Sequence, residues 1–121
     1  MEERRKFVRL DTRLSTEYRI VSASAATRLV TKDIGGGGVC IFVSEPLSVG
    51  TQLQVTITLP DASRTIAFTG EVVWCESYEI IGKAQQHRSI LAGVKFVSIA
   101  PEDQREIMRY VILSLQPRSA S

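Results

Sequence analysis

The segment QLQVTITL, residues 52–59, alternates strictly between polar and apolar side chains. On an extended chain its apolar side chains share one face, which is typical of a strand with one buried face. The same period of two recurs in STEYRIV, GVCIFV, RTIAFTGEVVW and ILAGVKFVSI. Turn-forming residues separate these runs in EPLSVG, PDAS and the longer polar stretch ESYEIIGKAQQHRS, which we interpret as a loop. The pattern predicts an antiparallel barrel or sandwich, with Phe42, Phe68, Trp74 and Phe96 at core positions.

The period changes near the end of the chain. Pro101 stands at a predicted first helical position, and Glu102 and Asp103 follow where they complement the positive end of the helix dipole. Pro117 is expected to end the helix. An apolar stripe at helical spacing is formed by Ile107, Met108, Val111, Ile112 and Leu115. This stripe either docks on the barrel or pairs with a second copy of the chain.

The length of 121 residues corresponds to one domain, and 44% hydrophobic with 23% charged residues is typical of a soluble globular protein. We predict a basic N-terminal arm over 1–13, a barrel with its helix over 14–116, and a flexible tail over 117–121. The first residues lack the apolar stretch of a signal peptide, and the longest apolar run is about five residues. A cytoplasmic location without membrane insertion is therefore expected.

The residues that carry most enzymatic chemistry are few. His87 is the single histidine and falls in the polar stretch, while Cys40 and Cys75 are isolated in strand patterns. We predict buried, reduced thiols at both cysteines, since one histidine and two scattered cysteines do not make a zinc site. The glycine run at 35–38 matches neither a P-loop nor a dinucleotide fingerprint. The sequence predicts no enzymatic activity, no metal site and no cofactor.

The glycine run itself precedes the strand pattern GVCIFV. Glycine can adopt positive φ and lets the backbone approach a ligand closely, and successive N–H groups can form a concave anion site. Asp33, just before the run, can accept hydrogen bonds from a base edge or orient an arginine. The simpler interpretation is a hairpin turn that is rich in glycine.

The segment RRKFVRLDTR, residues 4–13, is strongly cationic, with Arg4, Arg5, Lys6, Arg9 and Arg13 offset there only by Asp11. Arg5 and Arg9 share one face of any helical turn, because they are four residues apart. Arginine can bind the O6/N7 edge of guanine, stack on a base or grip phosphate. Phe7 and Leu10 could anchor the segment on the barrel; alternatively, it is simply a solvated arm.

The order of these motifs resembles the PilZ domain family, whose signature is R-x-x-x-R followed by [D/N]-x-S-x-x-G. Here RKFVR is followed about 24 residues later by DIGGGG, and GEVVW, GVKF and the terminal helix also fit. The resemblance implies a mainly β fold, an antiparallel six-stranded β-barrel with a C-terminal α-helix. It also implies a bacterial cytoplasmic receptor that binds cyclic di-GMP in second-messenger signalling.

The resemblance assigns roles to single residues. Arg5 and Arg9 match the motif arginines, which in the family contact guanine and phosphate. Asp33 matches the acidic or amide position that meets a guanine edge, and Gly38 matches the closing glycine. Gly35 stands where the family usually has serine.

Two further choices concern the arm. Arg4 is an additional candidate for ligand contact. An overlapping R-x-x-x-R pair exists at Arg9 and Arg13, and we prefer the first register because RRKFVR leaves space before the strand.

The missing serine hydroxyl at Gly35 is expected to weaken binding roughly tenfold without abolishing it. It also supports an alternative, a PilZ-like protein-interaction adaptor that has lost nucleotide binding. A nucleic-acid-binding barrel is disfavoured, since the sequence offers little sign of an aromatic stacking platform. The expected partners are cyclic di-GMP, as one molecule or a stacked pair, and a protein effector, with no nucleic-acid polymer. The protein itself is a monomer or a homodimer, and its downstream pathway stays open.

Overall fold

The computed structural model describes residues 9–60, 64–81 and 86–115. Within these ranges the chain forms seven strands and one helix. They are β1 (Arg9–Asp11), β2 (Ser15–Ile20), β3 (Thr27–Gly35), β4 (Gly38–Val43), β5 (Gln52–Leu59), β6 (Arg64–Ile81), β7 (Gln86–Ser98) and α1 (Pro101–Leu115).

Six of the strands close into a barrel. They pair in the order β3-β2-β5-β6-β7-β4, and β4 pairs again with β3, all antiparallel. The short strand β1 pairs with β3 beyond the end of β2, so that β1 extends β2 along the same neighbour. The predicted six-stranded antiparallel barrel with a C-terminal helix is confirmed. The residues Arg9–Asp11 of the expected arm belong to its sheet.

The core lies inside the barrel, where alternate side chains of each strand point inward. In β5, Leu53, Val55, Ile57 and Leu59 are all buried, as the alternation predicted. Burying one such side chain contributes about 1.5–3 kcal/mol, so the period of two selects the inward face of the strand. The other strands supply Ile34, Val39, Ile41, Ile66, Phe68, Val72 and Val94.

The alternation of β6 is interrupted beside Trp74. Val72 pairs with Val94 and Trp74 pairs with Gly93, so that an extra residue, Val73, is inserted on β6. Such a bulge shifts the phase of the following side chains. Val72 is fully buried, whereas Trp74 is 38% exposed. The prediction that Trp74 occupies the core was therefore wrong.

The other predicted core aromatics differ among themselves. Phe68 is buried, and the partly buried Phe96 packs its ring edge-on against it with centroids 4.6 Å apart. Phe42 is only partly buried, with the guanidinium of Arg13 5.5 Å from its ring centroid. That arrangement allows a cation–π interaction at the barrel surface.

The polar stretch 76–89 was predicted as a loop, and this was wrong for most of its length. β6 and β7 continue as a hairpin, from the pair Glu76–Leu91 to the pair Ile81–Gln86. The backbone of His87 pairs with that of Ile80 and so belongs to a strand. β4 pairs with β7 as far as Ile90, so the end of the hairpin extends beyond the β4 ladder. The predicted turn at PDAS lies largely in residues 61–63, outside the described residues.

Helix α1 begins at Pro101 with two acidic residues in its first turn, as predicted. It packs on β1 and β3 and buries Ile107 and Val111. The docking stripe is narrower than predicted, because Ile112 and Leu115 are exposed. The expected helix stop at Pro117 and the tail 117–121 lie outside the described residues. No helix within the described ranges combines the length and apolar character needed to span a bilayer.

Candidate ligand-binding site

One buried hydroxyl group bridges the break between β1 and β2. Thr31 is fully buried in β3, at the break between β1 and β2. Its Oγ1 accepts a hydrogen bond from the Leu14 N–H at 2.8 Å and donates one to the Thr12 carbonyl at 2.5 Å. A buried backbone group without a partner would cost about 1–3 kcal/mol, so this side chain replaces ladder bonds where the strand is interrupted. Leu10 of β1 packs against the core, as predicted, and Phe7 lies outside the described residues.

This register brings Arg9 beside Asp33. Arg9 pairs with Gly35 across β1 and β3, and Asp33 lies two residues before Gly35 on the same side of β3. The Arg9 Nε donates to the Asp33 Oδ1 at 2.7 Å, and the Nη2 donates to the same oxygen. Both side chains are partly exposed, at 21% and 26% of their surface. A charge-assisted contact of this kind orients the guanidinium.

The ion pair forms one wall of a cavity of about 170 Å³. Backbone of Gly37 and Gly38, from the glycine turn, contributes a second part of the lining. Trp74 of β6 and Lys95 of β7 line it as well. The cavity therefore combines two cations, one carboxylate, exposed backbone and an aromatic ring.

Trp74 reaches the cavity because the bulge of β6 turns it outward. A Cβ added at Gly93 would lie 2.1 Å from the Trp74 Nε1, so the indole covers the backbone of Gly93. Only a residue without a side chain fits beneath the ring. The sequence prediction missed this lining residue. The available signal was Gly93 within a strand pattern, since a glycine inside a strand often marks a close approach.

The glycine run is explained by close packing between strands rather than by an unusual backbone conformation. Among the glycines of the described ranges, only Gly50 has a positive φ, of 95°. The run therefore does not use the positive φ that glycine permits. Gly38 is required by packing instead, because a Cβ there would lie 2.3 Å from the carbonyl oxygen of Val94. The run lets β4 approach β7 closely at the edge of the cavity.

Cys40 belongs to the lining of the cavity, and its side chain is buried. Burial raises the pKa of its thiol to about 11, with the Asp33 carboxylate acting in the same direction. The thiol stays neutral at physiological pH. Cys75 is partly buried, and its Sγ accepts a hydrogen bond from the Leu47 N–H at 3.4 Å. Both cysteines are free thiols, as predicted, although only Cys40 is fully buried.

In the part of the chain that the structure describes, no three His, Cys, Asp or Glu side chains cluster closely enough to hold a metal ion.

Three of the predicted site residues, Arg9, Asp33 and Gly38, line the same cavity. Gly35 is buried in the β1–β3 ladder opposite Arg9. Arg4 and Arg5 lie outside the described residues.

Arg13, of the alternative arginine pair, makes contacts of another kind. Its Nη1 donates to the Asp11 Oδ1 and to the Lys32 carbonyl oxygen, both at 2.9 Å. The hydrogen bonds from Arg13 and Lys32 lower the pKa of the Asp11 carboxyl below its usual value. Arg13 is therefore engaged with surface groups next to Phe42.

This fold is shared with solved structures, among them the following three. The PilZ domain of YcgR from Escherichia coli, solved with cyclic di-GMP, superposes with a TM-score of 0.75 at 15% identity, covering 92% of this chain and 91% of that one. MotI/DgrA of Bacillus subtilis, an inhibitor of motility, gives 0.72 at 22% identity, covering 93% and 52%. The K. pneumonia MrkH complex with cyclic di-GMP gives 0.72 at 20% identity, covering 94% and 52%. The chain thus spans about half the length of MotI and of MrkH.

A comparison with curated protein sequences finds no significant match. A sequence profile described as the PilZ domain matches residues 3–113, which is nearly the whole chain. The match includes the RKFVR and DIGGGG segments and every strand and the helix described above, with the last turn of α1 ending just beyond it. The chain belongs to the PilZ domain family.

Proposed function

We propose that this protein is a receptor for cyclic di-GMP, which it binds at the cavity beside β1. The observation that carries the proposal is the Arg9–Asp33 pair at the cavity wall. It joins the two motif segments of the family at one place, although they are distant in sequence. The cyclic di-GMP complexes of E. coli YcgR and K. pneumonia MrkH, which share the fold, support the choice of ligand.

The chemistry of the lining suits a dianionic guanine dinucleotide. The Arg9 guanidinium can donate two parallel hydrogen bonds to a phosphate or to the O6/N7 edge of guanine. Asp33 can accept hydrogen bonds from the N–H groups of a guanine edge. Lys95 adds a second positive charge at the cavity. Arg9 and Lys95 are the two cations of the lining that can contact the phosphates of the ligand, while Asp33 faces its guanine edge.

The size of the cavity implies that the ligand is only partly enclosed by the barrel. A volume of about 170 Å³ is below the range of about 300–1,000 Å³ for typical small-molecule sites. We infer that the N-terminal arm with Arg4 and Arg5 closes over the exposed part of the dinucleotide. Ordering of the arm would have an entropic cost, and the ordered arm would itself be the signal.

This function requires no bond to be made or broken. We infer a receptor that acts through a protein effector rather than an enzyme, working in the cytoplasm as a monomer or homodimer. Gly38 serves the site by letting the backbone of β4 approach β7, and Gly35 is the ladder partner of Arg9 across β1 and β3.

A second candidate is a PilZ adaptor that has lost nucleotide binding and retains only protein interaction. Gly35 is the observation that favours it, because glycine supplies no hydroxyl where the family usually has serine. In this case the Arg9–Asp33 ion pair only joins β1 to β3 and contacts no ligand.

Isothermal titration calorimetry of the full chain with cyclic di-GMP tests the proposal. We expect micromolar or tighter binding that weakens as salt rises, since the contacts pair arginine with phosphate. Absence of both heat and NMR chemical-shift changes at millimolar ligand would exclude the receptor and leave the adaptor.

A further inference from the structure

One side chain of α1 contacts the glycine turn directly. The Gln104 Nε2 donates to the carbonyl oxygen of Gly36 at 2.5 Å, joining residues 68 positions apart. Gln104 lies in the N-terminal part of the helix and is partly buried. This contact links the helix to the turn that lines the cavity.

The contact fixes the orientation of a peptide group. In a planar trans peptide, the C=O of one residue and the N–H of the next point in opposite directions. Holding the Gly36 carbonyl toward α1 therefore directs the Gly37 N–H away from α1. Gly37 lines the cavity, and its own carbonyl accepts a hydrogen bond from the Phe96 N–H of β7 at 3.2 Å. Both peptide groups of the turn are thus held from outside the cavity.

Helix α1 is held in place by contacts other than the one from Gln104. Ile107 and Val111 are buried in the core, and Asp103 accepts a hydrogen bond from Arg64 of β6 at 2.6 Å. Further along the helix, the hydroxyls of Tyr110 and Thr12 are 3.1 Å apart, in a contact that does not involve the glycine run or the Gln104 side chain. A side chain supported in this way can preorganise a backbone donor, because its position does not have to be found when the ligand arrives.

We propose that Gln104 is a positioning residue for the ligand site, which holds the Gly36 carbonyl so that the Gly37 N–H is available to the ligand. The same contact couples occupancy of the cavity to the docking of α1. Coupling between two sites is reciprocal, so a ligand that is favoured by docked α1 must in turn stabilise that docking. The inference rests on the proposed cyclic di-GMP function.

Gln104→Ala tests it, with Tyr110→Phe as the matched control. Each variant removes one side-chain hydrogen bond between α1 and the rest of the domain, but only the first removes a bond to the glycine turn. We expect Gln104→Ala to weaken cyclic di-GMP binding about 3- to 10-fold and Tyr110→Phe to leave it within about 2-fold. Circular dichroism would show that both variants fold.

Gln104→Glu should make ligand binding depend on pH in a way that a purely structural role of Gln104 does not predict. A carboxylate cannot donate to the Gly36 carbonyl, whereas a protonated carboxyl can. The ratio of variant to parent dissociation constants should be about 10 or more near pH 8 and should shrink as pH falls toward about 5. Gln52→Glu, an exposed site on β5, controls for the added charge and should show no such pH dependence.

The same charged groups surround the contact in the variant and in the parent, so the ratio of dissociation constants isolates residue 104. On α1 they are Glu102, Asp103, Arg105 and Glu106; on the strands they are Arg9 of β1, Asp33 of β3, Arg64 of β6 and Lys95 of β7.

Hydrogen exchange tests the coupling itself. Ligand should slow exchange of the α1 amides in the parent and in Tyr110→Phe, but much less in Gln104→Ala. If the parent binds and Gln104→Ala binds equally well, or if Tyr110→Phe is weakened as much, the positioning role is wrong while the receptor stands. If the parent does not bind, the proposed function fails, and this inference fails with it.

Discussion

Arg9 and Asp33 form an ion pair across β1 and β3, with two guanidinium nitrogens donating to one carboxylate oxygen. The pair is partly exposed, so its net contribution to stability is about 0–1 kcal/mol. A hydrogen bond from arginine to a charged phosphate contributes about 1.5–3 kcal/mol. A phosphate of the dinucleotide can therefore replace Asp33 as the acceptor for Arg9 without a large cost in free energy. In the absence of ligand, Asp33 holds the guanidinium at the cavity.

Replacement of the motif arginines should weaken ligand binding. Arg9→Ala and Arg5→Ala are each expected to reduce affinity for cyclic di-GMP by about 1.5–3 kcal/mol, which is roughly 10- to 150-fold. Calorimetry at fixed salt measures the change. Arg13→Ala is the matched control, because Arg13 contacts Asp11 and the Lys32 carbonyl. If Arg13→Ala weakens binding and Arg5→Ala does not, the second arginine register is the functional one.

Gly35→Ser separates the receptor from the adaptor. The added hydroxyl should tighten binding by about 0.5–1.5 kcal/mol if the parent already binds. Gly35→Ala carries the same Cβ without the hydroxyl and controls for packing at this buried position. A parent that does not bind, together with a serine variant that does, would favour the adaptor.

Trp74 should report ligand binding by its fluorescence. It is the single tryptophan of the chain, it is 38% exposed, and it lines the cavity. Saturation with cyclic di-GMP should change its emission intensity or maximum at the affinity found by calorimetry. Unchanged emission at a saturation verified by calorimetry would mean that the ligand lies elsewhere.

Gly93→Ala provides the structural counterpart of that measurement. The new Cβ would overlap the indole and force it to move, with a destabilisation of about 1–3 kcal/mol expected for overpacking. The emission of the ligand-free variant should shift relative to that of the parent, and an identical spectrum would contradict the described ring position.

Cys40 should react slowly with thiol reagents. Its pKa of about 11, against the usual 9.0, leaves about one thiol in a thousand ionised at pH 8 instead of about one in ten. In a Cys75→Ser background, labelling should be slow in the folded protein and fast in urea. The same shift makes stability depend on pH, because the Cys40 thiol ionises at lower pH in the unfolded chain than in the folded protein. The free energy of unfolding should therefore fall as pH rises from about 9 to about 11. Rapid labelling of the folded protein at pH 8 would disprove the buried environment.

The sequence predicted best where burial follows a simple period. β5 alternates along its whole length and is buried in the same alternation. β3 was not recognised from its pattern, because its first half is mostly exposed and the buried positions begin at Thr31. Its existence followed only from the family resemblance, which implied six strands.

The site was predictable in its two charged residues and not in its supporting contacts. Arg9 and Asp33 belong to recognisable motifs, so their meeting could be expected. Trp74 depends on a bulge of one residue, which reverses the side predicted by alternation. Gln104 acts on a backbone carbonyl far away in sequence, and glutamine near a helix start carries no such signal by itself. The extended β6–β7 hairpin was missed because its polar residues resemble a loop.

Because β3 is hydrogen-bonded on both sides, the barrel is a closed ring in which one strand cannot slide without breaking bonds to its neighbours. A closed barrel of this kind is rigid, and small movements are easier for the elements that are not among its six strands. In this chain those elements are β1, which is three residues long, and α1. We therefore expect nucleotide binding to change the positions of β1 and α1, while the six barrel strands keep their arrangement.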